Sequence, residues 1–84
     1  MEETNPRLGE HLMEVVRNQL RANDPPETKQ AYERLLREGH AEDQVMKMLA
    51  CVVTAEIYHV MDEKKPFDHD RFVKMLDALP ELPE

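Results

Sequence analysis

The residues best suited to chemistry in this 84-residue chain are a glutamate and a histidine three positions apart, Glu56 and His59. On a helix, a Glu-x-x-His spacing places both side chains on one face, and di-iron bundles use this pair as ligands. Such a site needs two copies of the pair and two further carboxylates, whereas this chain has one copy. With His11 as a third ligand, these residues support the alternative hypothesis of a metal-binding helical bundle. The competing interpretation is the polar edge of a mostly buried helix.

Cys51 is the single cysteine, and its position argues against catalysis. A reactive thiol needs a histidine or a helix N-terminus nearby to lower its pKa, and Cys51 falls in the middle of a helical stretch. We therefore interpret it as a small buried hydrophobic residue. The chain has no serine, and its two glycines cannot form a phosphate-binding loop. We predict a protein that is not an enzyme and that has no cofactor.

The charge balance limits the partners of the chain. It has 11 Lys and Arg against 18 Asp and Glu, for a net charge of −7, which disfavours a nucleic acid. The longest uncharged run, residues 48–55, is too short to span a membrane. Glu2 and Glu3 stand where a signal peptide would be positive. Together with the single cysteine, these features predict a cytoplasmic location and no membrane contact.

Helix caps and hydrophobic spacing predict the first two helices. Asn5 followed by Pro6 is a favourable start for the first helix, which should end near Asn23. Its apolar stripe consists of Leu8, Leu12, Val15, Val16 and Leu20. Asp24 is the predicted cap of the second helix, and the prolines that follow it fit the first turn. Gly39 should end this helix in a left-handed conformation.

The third and fourth helices are predicted in the same way. The third runs from about Glu42 to Glu63 and is apolar on nearly every side, which is typical of a central, covered helix. Asp68 is the predicted cap of the fourth helix, which ends near Leu79. Phe67 and Phe72 have the spacing of a hydrophobic staple. The short connections predict antiparallel neighbours in one compact all-α four-helix domain over residues 1–84, with its core at about 5–80.

Seven short segments form an ordered pattern along most of the chain. They are Asn5-Pro6-Arg7-Leu8, Val15-Val16-Arg17-Asn18-Gln19-Leu20, Asp24-Pro25-Pro26-Glu27, Arg34-Leu35-Leu36-Arg37-Glu38-Gly39-His40, Met48-Leu49-Ala50, Lys65-Pro66-Phe67-Asp68 and Leu79-Pro80. In this order they resemble a bacterial family of small helical domains that has no assigned function. The resemblance implies the helical fold of the domain.

The resemblance also implies where a metal site would lie. Many members of that family carry His-x-x-x-His on the first helix and His-Glu-x-x-His on the third, which suggests a metal site on facing helices. This chain has Gly9 and Met13 at the first pair, and Asp43 and Lys47 at the second. The resemblance therefore implies a retained scaffold without that site, and it transfers no functional residue to this chain.

The apolar residues of the third helix indicate a contact surface. Three short neighbours cannot easily cover all its faces, so Met13, Met46, Tyr58 and Met61 are candidates for an exposed apolar edge. Such an edge would bind a partner protein or a second copy of the chain. We therefore predict a non-catalytic protein-interaction or self-association module, and specifically a homodimer.

Two polar residues fall inside the apolar stripes of their own helices, Gln19 on the first and Glu56 on the third. Burying either one without a hydrogen-bond partner is costly. One solution is a buried polar pair, in which the first and third helices face each other and the Gln19 amide donates to the Glu56 carboxylate. The alternative is a rotation of the third helix that lets Glu56 reach water. Burial without a neighbouring cation would raise the pKa of Glu56.

Overall fold

The computed structural model contains four α-helices and no β-strand in the residues that it describes, 6–64 and 66–83, with residues 6–9 described by their backbone. α1 spans Pro6–Ala22, α2 spans Pro26–Arg37, α3 spans Glu42–Glu63 and α4 spans His69–Ala78. The predicted all-α four-helix fold is confirmed. Asn5, the predicted cap of the first helix, lies outside the described residues.

The start of α2 differs from the prediction, while its end agrees with it. Asp24 was the expected cap, but the cap position belongs to Pro25, whose backbone is extended and which makes no side-chain capping bond. The reason is that a proline keeps the residue before it out of the helical conformation, so α2 begins only at Pro26. Gly39 follows α2 with a φ of 101°, which confirms the left-handed residue predicted there.

The start of α4 follows both sequence signals. The Asp68 side chain accepts a hydrogen bond from the backbone N–H of Arg71 at 3.1 Å, as expected of an N-cap. The rings of Phe67 and Phe72 lie 5.6 Å apart between centroids, which confirms the hydrophobic staple. These two local interactions fix where the chain turns from α3 into α4.

Helix α3 is the longest, with 22 residues, and it contacts each of the other three helices. Its inner side supplies Val45, Leu49, Val52 and Val53 to the hydrophobic core. The other helices and the turn after α4 complete this core with Val16, Ala31, Leu35, Phe72, Leu76 and Leu79. The prediction of a long central third helix is confirmed. Within the described residues, no helix combines the length and hydrophobicity needed to cross a membrane.

Candidate functional site

The inner side of α3 holds a group of contacts that we call the α3–α4 clamp. It consists of the ion pair between Glu56 and Arg71 and a hydrogen bond from the backbone of Asp68. Glu56 is only 3% exposed. Nε and Nη2 of Arg71 each donate to one of its carboxylate oxygens at 2.9 Å. The backbone N–H of Asp68 donates to Oε2 at 3.0 Å. The burial of Glu56 is therefore matched by three donors, all from the start of α4.

The clamp determines the protonation of Glu56. The hydrogen bonds from the Arg71 guanidinium hold the pKa of the Glu56 carboxyl below its usual value, although burial acts in the opposite direction. The backbone N–H of Asp68 adds to the lowering. A raised pKa was expected only for burial without a cation, and Arg71 is that cation. Glu56 is thus a structural anion.

The predicted hydrogen bond between Gln19 and Glu56 is wrong. The Gln19 side chain is half-buried, and its Oε1 accepts from Oγ1 of buried Thr28 at 3.0 Å. Glu56 pairs with Arg71 instead, because a guanidinium offers charge-assisted donors from two nitrogens in a planar fork, whereas an amide donates only from one uncharged nitrogen. The packing of α1 against α3, on which the prediction depended, is present.

The three candidate metal ligands are not brought together. Both oxygens of Glu56 belong to the clamp. Nδ1 of His59 lies 3.4 Å from a carboxylate oxygen of Glu63, and His11 is an exposed residue of α1. Among the residues that the structure describes, no group of three or more His, Cys, Asp or Glu side chains could hold a metal ion. The geometry gives the metal hypothesis no support.

The opposite side of α3 is open to solvent. Six of its exposed residues follow one another at spacings of three and four, and we call them the outer face of α3: Gln44, Lys47, Cys51, Thr54, Tyr58 and Met61. Tyr58 is 64% exposed and Met61 is 71% exposed. Cys51 is also exposed, so its expected burial is wrong. In the part of the chain that the structure describes, the three neighbouring helices cover the inner side of α3 and leave this side uncovered.

A cleft of about 680 Å³ runs along the outer face. Small side chains of α3, Ala50, Cys51, Thr54 and Ala55, form part of its lining. Leu12 and Met13 of α1, Lys47, Tyr58 and His59 of α3, and Pro83 complete it. None of these described lining residues is an aspartate or a glutamate. The cleft is therefore an acid-free surface on a strongly acidic protein.

The four predicted interface residues fall in different environments. Tyr58 and Met61 are exposed on the outer face. Met13 is half-buried at the edge of the cleft. Met46 instead packs against the hydrophobic core, because its position on α3 turns it towards the neighbouring helices. Three of the four therefore remain available to a partner.

The sequence did not indicate the structural role of Arg34. Arg34 of α2 donates from Nη2 to the backbone carbonyls of Leu76 and Leu79, both at 3.1 Å. Its Nη1 also donates to the Glu38 carboxylate at 3.0 Å. Arg34 thus adds donors to carbonyl groups at the C-terminal end of α4, where Leu76 also accepts from the backbone N–H of Leu79 at 3.2 Å. A cation at this end is also favoured by the helix dipole.

Comparison with known proteins found no match to this chain. No family model matches the chain, and no curated protein or solved structure is significantly similar to it. The resemblance to a bacterial helical family therefore stays a prediction from the sequence.

Proposed function

We propose that this protein is a non-catalytic helical module that associates with a second copy of itself through the outer face of α3. The observation that carries the proposal is the exposure of Tyr58 and Met61 on a helix surface without acidic side chains. Between residues 44 and 61 the only acid is Glu56, which is buried on the opposite side. Exposed apolar surface of this kind is typical of interaction sites.

The net charge of the chain favours this face over the rest of the surface. Two copies that each carry a charge of −7 repel each other wherever carboxylates face carboxylates. The outer face is a place where they can meet without that cost. Burial of Tyr58 and Met61 would supply the favourable free energy, since an aromatic side chain removes a large apolar area from water.

The size of the protein sets the scale of the contact. A stable interface buries about 800 Å² per partner, which is about 13% of the 5927 Å² surface of this chain. Helix α3, with 22 residues, is about 33 Å long, so an interface along it can approach this area. We expect a reversible dimer that dissociates on dilution.

Light scattering and sedimentation equilibrium test the proposal. They should be run from about 5 to about 200 µM protein, a range that reveals even a weak complex. A reducing agent keeps the exposed thiol of Cys51 from linking chains. The weight-average mass should rise from 9.9 kDa towards twice that value. A mass that stays at 9.9 kDa over the whole range would contradict the proposal.

Matched variants identify the surface. Met61→Glu places a charge on the outer face and should abolish dimer formation, whereas the 71% exposure of Met61 allows the fold to be retained. Leu36→Glu is the control. Leu36 is an exposed apolar residue of α2, so this substitution adds the same charge at a different surface. Far-UV circular dichroism should show that both variants keep the wild-type helix content. Equal dimerisation of the two variants would exclude the outer face.

Salt dependence gives an independent check. Added NaCl screens the repulsion between two acidic chains, so association through an acid-free face should strengthen as the salt concentration rises. An interface formed by ion pairs would weaken instead. Weakening of the dimer by salt would therefore contradict the proposed surface even if the protein does dimerise.

A further inference from the structure

We infer that the two copies pair through antiparallel α3 helices, with the two-fold axis midway between Cys51 and Thr54. This inference rests on the proposed self-association and specifies its geometry. The six residues of the outer face follow one another at spacings of three, four, three, four and three from Gln44 to Met61. That is the spacing by which one helix packs its side chains along another.

The spacing has a centre of symmetry along the helix. An axis midway between Cys51 and Thr54 brings Cys51 against Thr54 of the second copy. Moving outward, Lys47 then lies against Tyr58 of the second copy. Small side chains at the centre let the two helices approach closely, because the interaxial distance depends on the side chains at the contact. The large side chains lie further out, where each faces a different residue rather than itself.

Charge selects the antiparallel arrangement over the parallel one. In a parallel pair, Lys47 would face Lys47 of the second copy, which is repulsive. In the antiparallel pair the Lys47 ammonium lies beside the ring of Tyr58 of the second copy, which is a favourable cation–π arrangement. Lys47 is exposed, and none of the ion pairs found among the described residues includes it. Its charge is therefore free to be used between copies.

The acidic ends of α3 fit this arrangement. Asp43 and Asp62 lie outside the stretch from residue 44 to residue 61. Packed helices cross at an angle, so their ends move apart with distance from the crossing point. A crossing point between Cys51 and Thr54 therefore gives close contact at the acid-free centre and separates the acidic ends. A crossing point nearer to either end would bring carboxylates together.

A mixing experiment with cysteine cross-links tests the geometry. Wild-type protein, which carries Cys51, is mixed with the double variant Cys51→Ala, Thr54→Cys and treated with oxidised glutathione. In the antiparallel pair, position 51 faces position 54, so the disulfide should form mainly between the two different chains. In a parallel pair each position faces itself, so only identical chains should be linked. A disulfide requires Cα atoms closer than about 7 Å, which makes the product selective.

Mass spectrometry of the linked products separates the outcomes. Mainly mixed dimers support the antiparallel pairing. Mainly identical-chain dimers would overturn it while leaving self-association intact. A protein that is dimeric by light scattering but gives no cross-link would also overturn it, since another surface would then form the dimer. A monomer by light scattering would overturn the proposed function itself, and the inference with it.

A charge-reversal pair tests the role of Lys47. Lys47→Glu should raise the dissociation constant of the dimer about tenfold, because it removes the cation beside the ring and adds an acid to the interface. Lys74→Glu is the control, since Lys74 is an exposed residue of α4 and its reversal changes the net charge equally. Equal weakening by the two variants would show that only net charge matters, which would contradict the contact between Lys47 and Tyr58.

Discussion

The inner side of α3 buries a carboxylate, whereas its outer side leaves a tyrosine and a methionine in solvent. The carboxylate of Glu56 is buried because α4 supplies two guanidinium donors and a backbone N–H. Tyr58 and Met61 are exposed because no element of the described chain covers them. Which side chains of α3 are buried therefore depends on the available hydrogen-bond partners as well as on hydrophobicity. We therefore expect stability to depend on the inner side and association to depend on the outer side.

The largest effect on stability should come from removing the carboxylate of the α3–α4 clamp. Glu56→Ala removes the acceptor of Arg71 and of the Asp68 N–H. It should lower the free energy of unfolding by about 3 kcal/mol, the low end for a broken buried pair, because the Arg71 side chain is 24% exposed. Urea unfolding followed by circular dichroism measures this loss. Glu33→Ala, at an exposed position of α2, is the control and should be nearly neutral. Similar losses in the two variants would contradict the stabilising role of the clamp.

The pH dependence of the clamp should be smaller and is specific to the charge of Glu56. Its pKa is lower in the folded protein than in the unfolded chain, so its contribution is complete above the unfolded value, about 4.5, and is lost as the pH falls through the folded value. Glu56→Gln should cost about 1–2 kcal/mol at pH 7. The difference in unfolding free energy between wild type and Glu56→Gln should shrink below about pH 4.5. A difference that does not change with pH would show that the charge is not used.

A smaller effect is expected at the opposite end of α4. Arg34→Met removes the donors to the carbonyls of Leu76 and Leu79 and should cost about 1 kcal/mol, because the side chain is partly exposed and water can replace it. Arg37→Met is the matched control, since Arg37 is an exposed arginine of the same helix. Thermal unfolding should show a lower midpoint for Arg34→Met alone. Identical midpoints would contradict the capping role.

The smallest effect should come from the outer face. Thr54→Ala removes a hydroxyl that bonds only the Ala50 carbonyl of its own helix at 2.8 Å, and it should change the free energy of unfolding by about 0.5 kcal/mol or less. The same substitution at buried Thr28 should cost about 2 kcal/mol, because it removes the hydrogen bond to Gln19 and a packed methyl group. Urea unfolding at low protein concentration compares the two. Equal losses of unfolding free energy in Thr54→Ala and Thr28→Ala would contradict the smaller contribution of the outer face to stability.

The sequence predicted the features that depend on neighbouring residues. The bounds of α3, the Asp68 cap and the left-handed Gly39 each follow from a few consecutive side chains. The spacing of the apolar residues also placed Glu56 on the covered side of α3. It did not reveal the partner, because Arg71 is fifteen residues further along the chain and belongs to another helix. Only the packing of α4 on α3 brings the two side chains together.

The open side of α3 was predicted in part. The third helix is apolar on nearly every side, which indicated more apolar surface than its neighbours could cover. This agrees with the exposure of Tyr58 and Met61. Cys51 was interpreted as a small buried residue from its position in the middle of the helix, and this was wrong. Periodicity shows which residues share a face, whereas the position of α1, α2 and α4 decides which face is covered. That position depends on contacts between distant parts of the chain.

The two polar attachments of α4 have a consequence for cooperativity. Ten residues are too few for a helix to persist alone in water, so α4 owes its order to its neighbours. Glu56 of α3 fixes its first turn, and Arg34 of α2 fixes its last. Phe72 and Leu76 of α4 lie in the hydrophobic core, so detachment of the helix would also expose them to water. Because α4 is tied to both neighbours, we expect helices α2, α3 and α4 to unfold together as one cooperative unit.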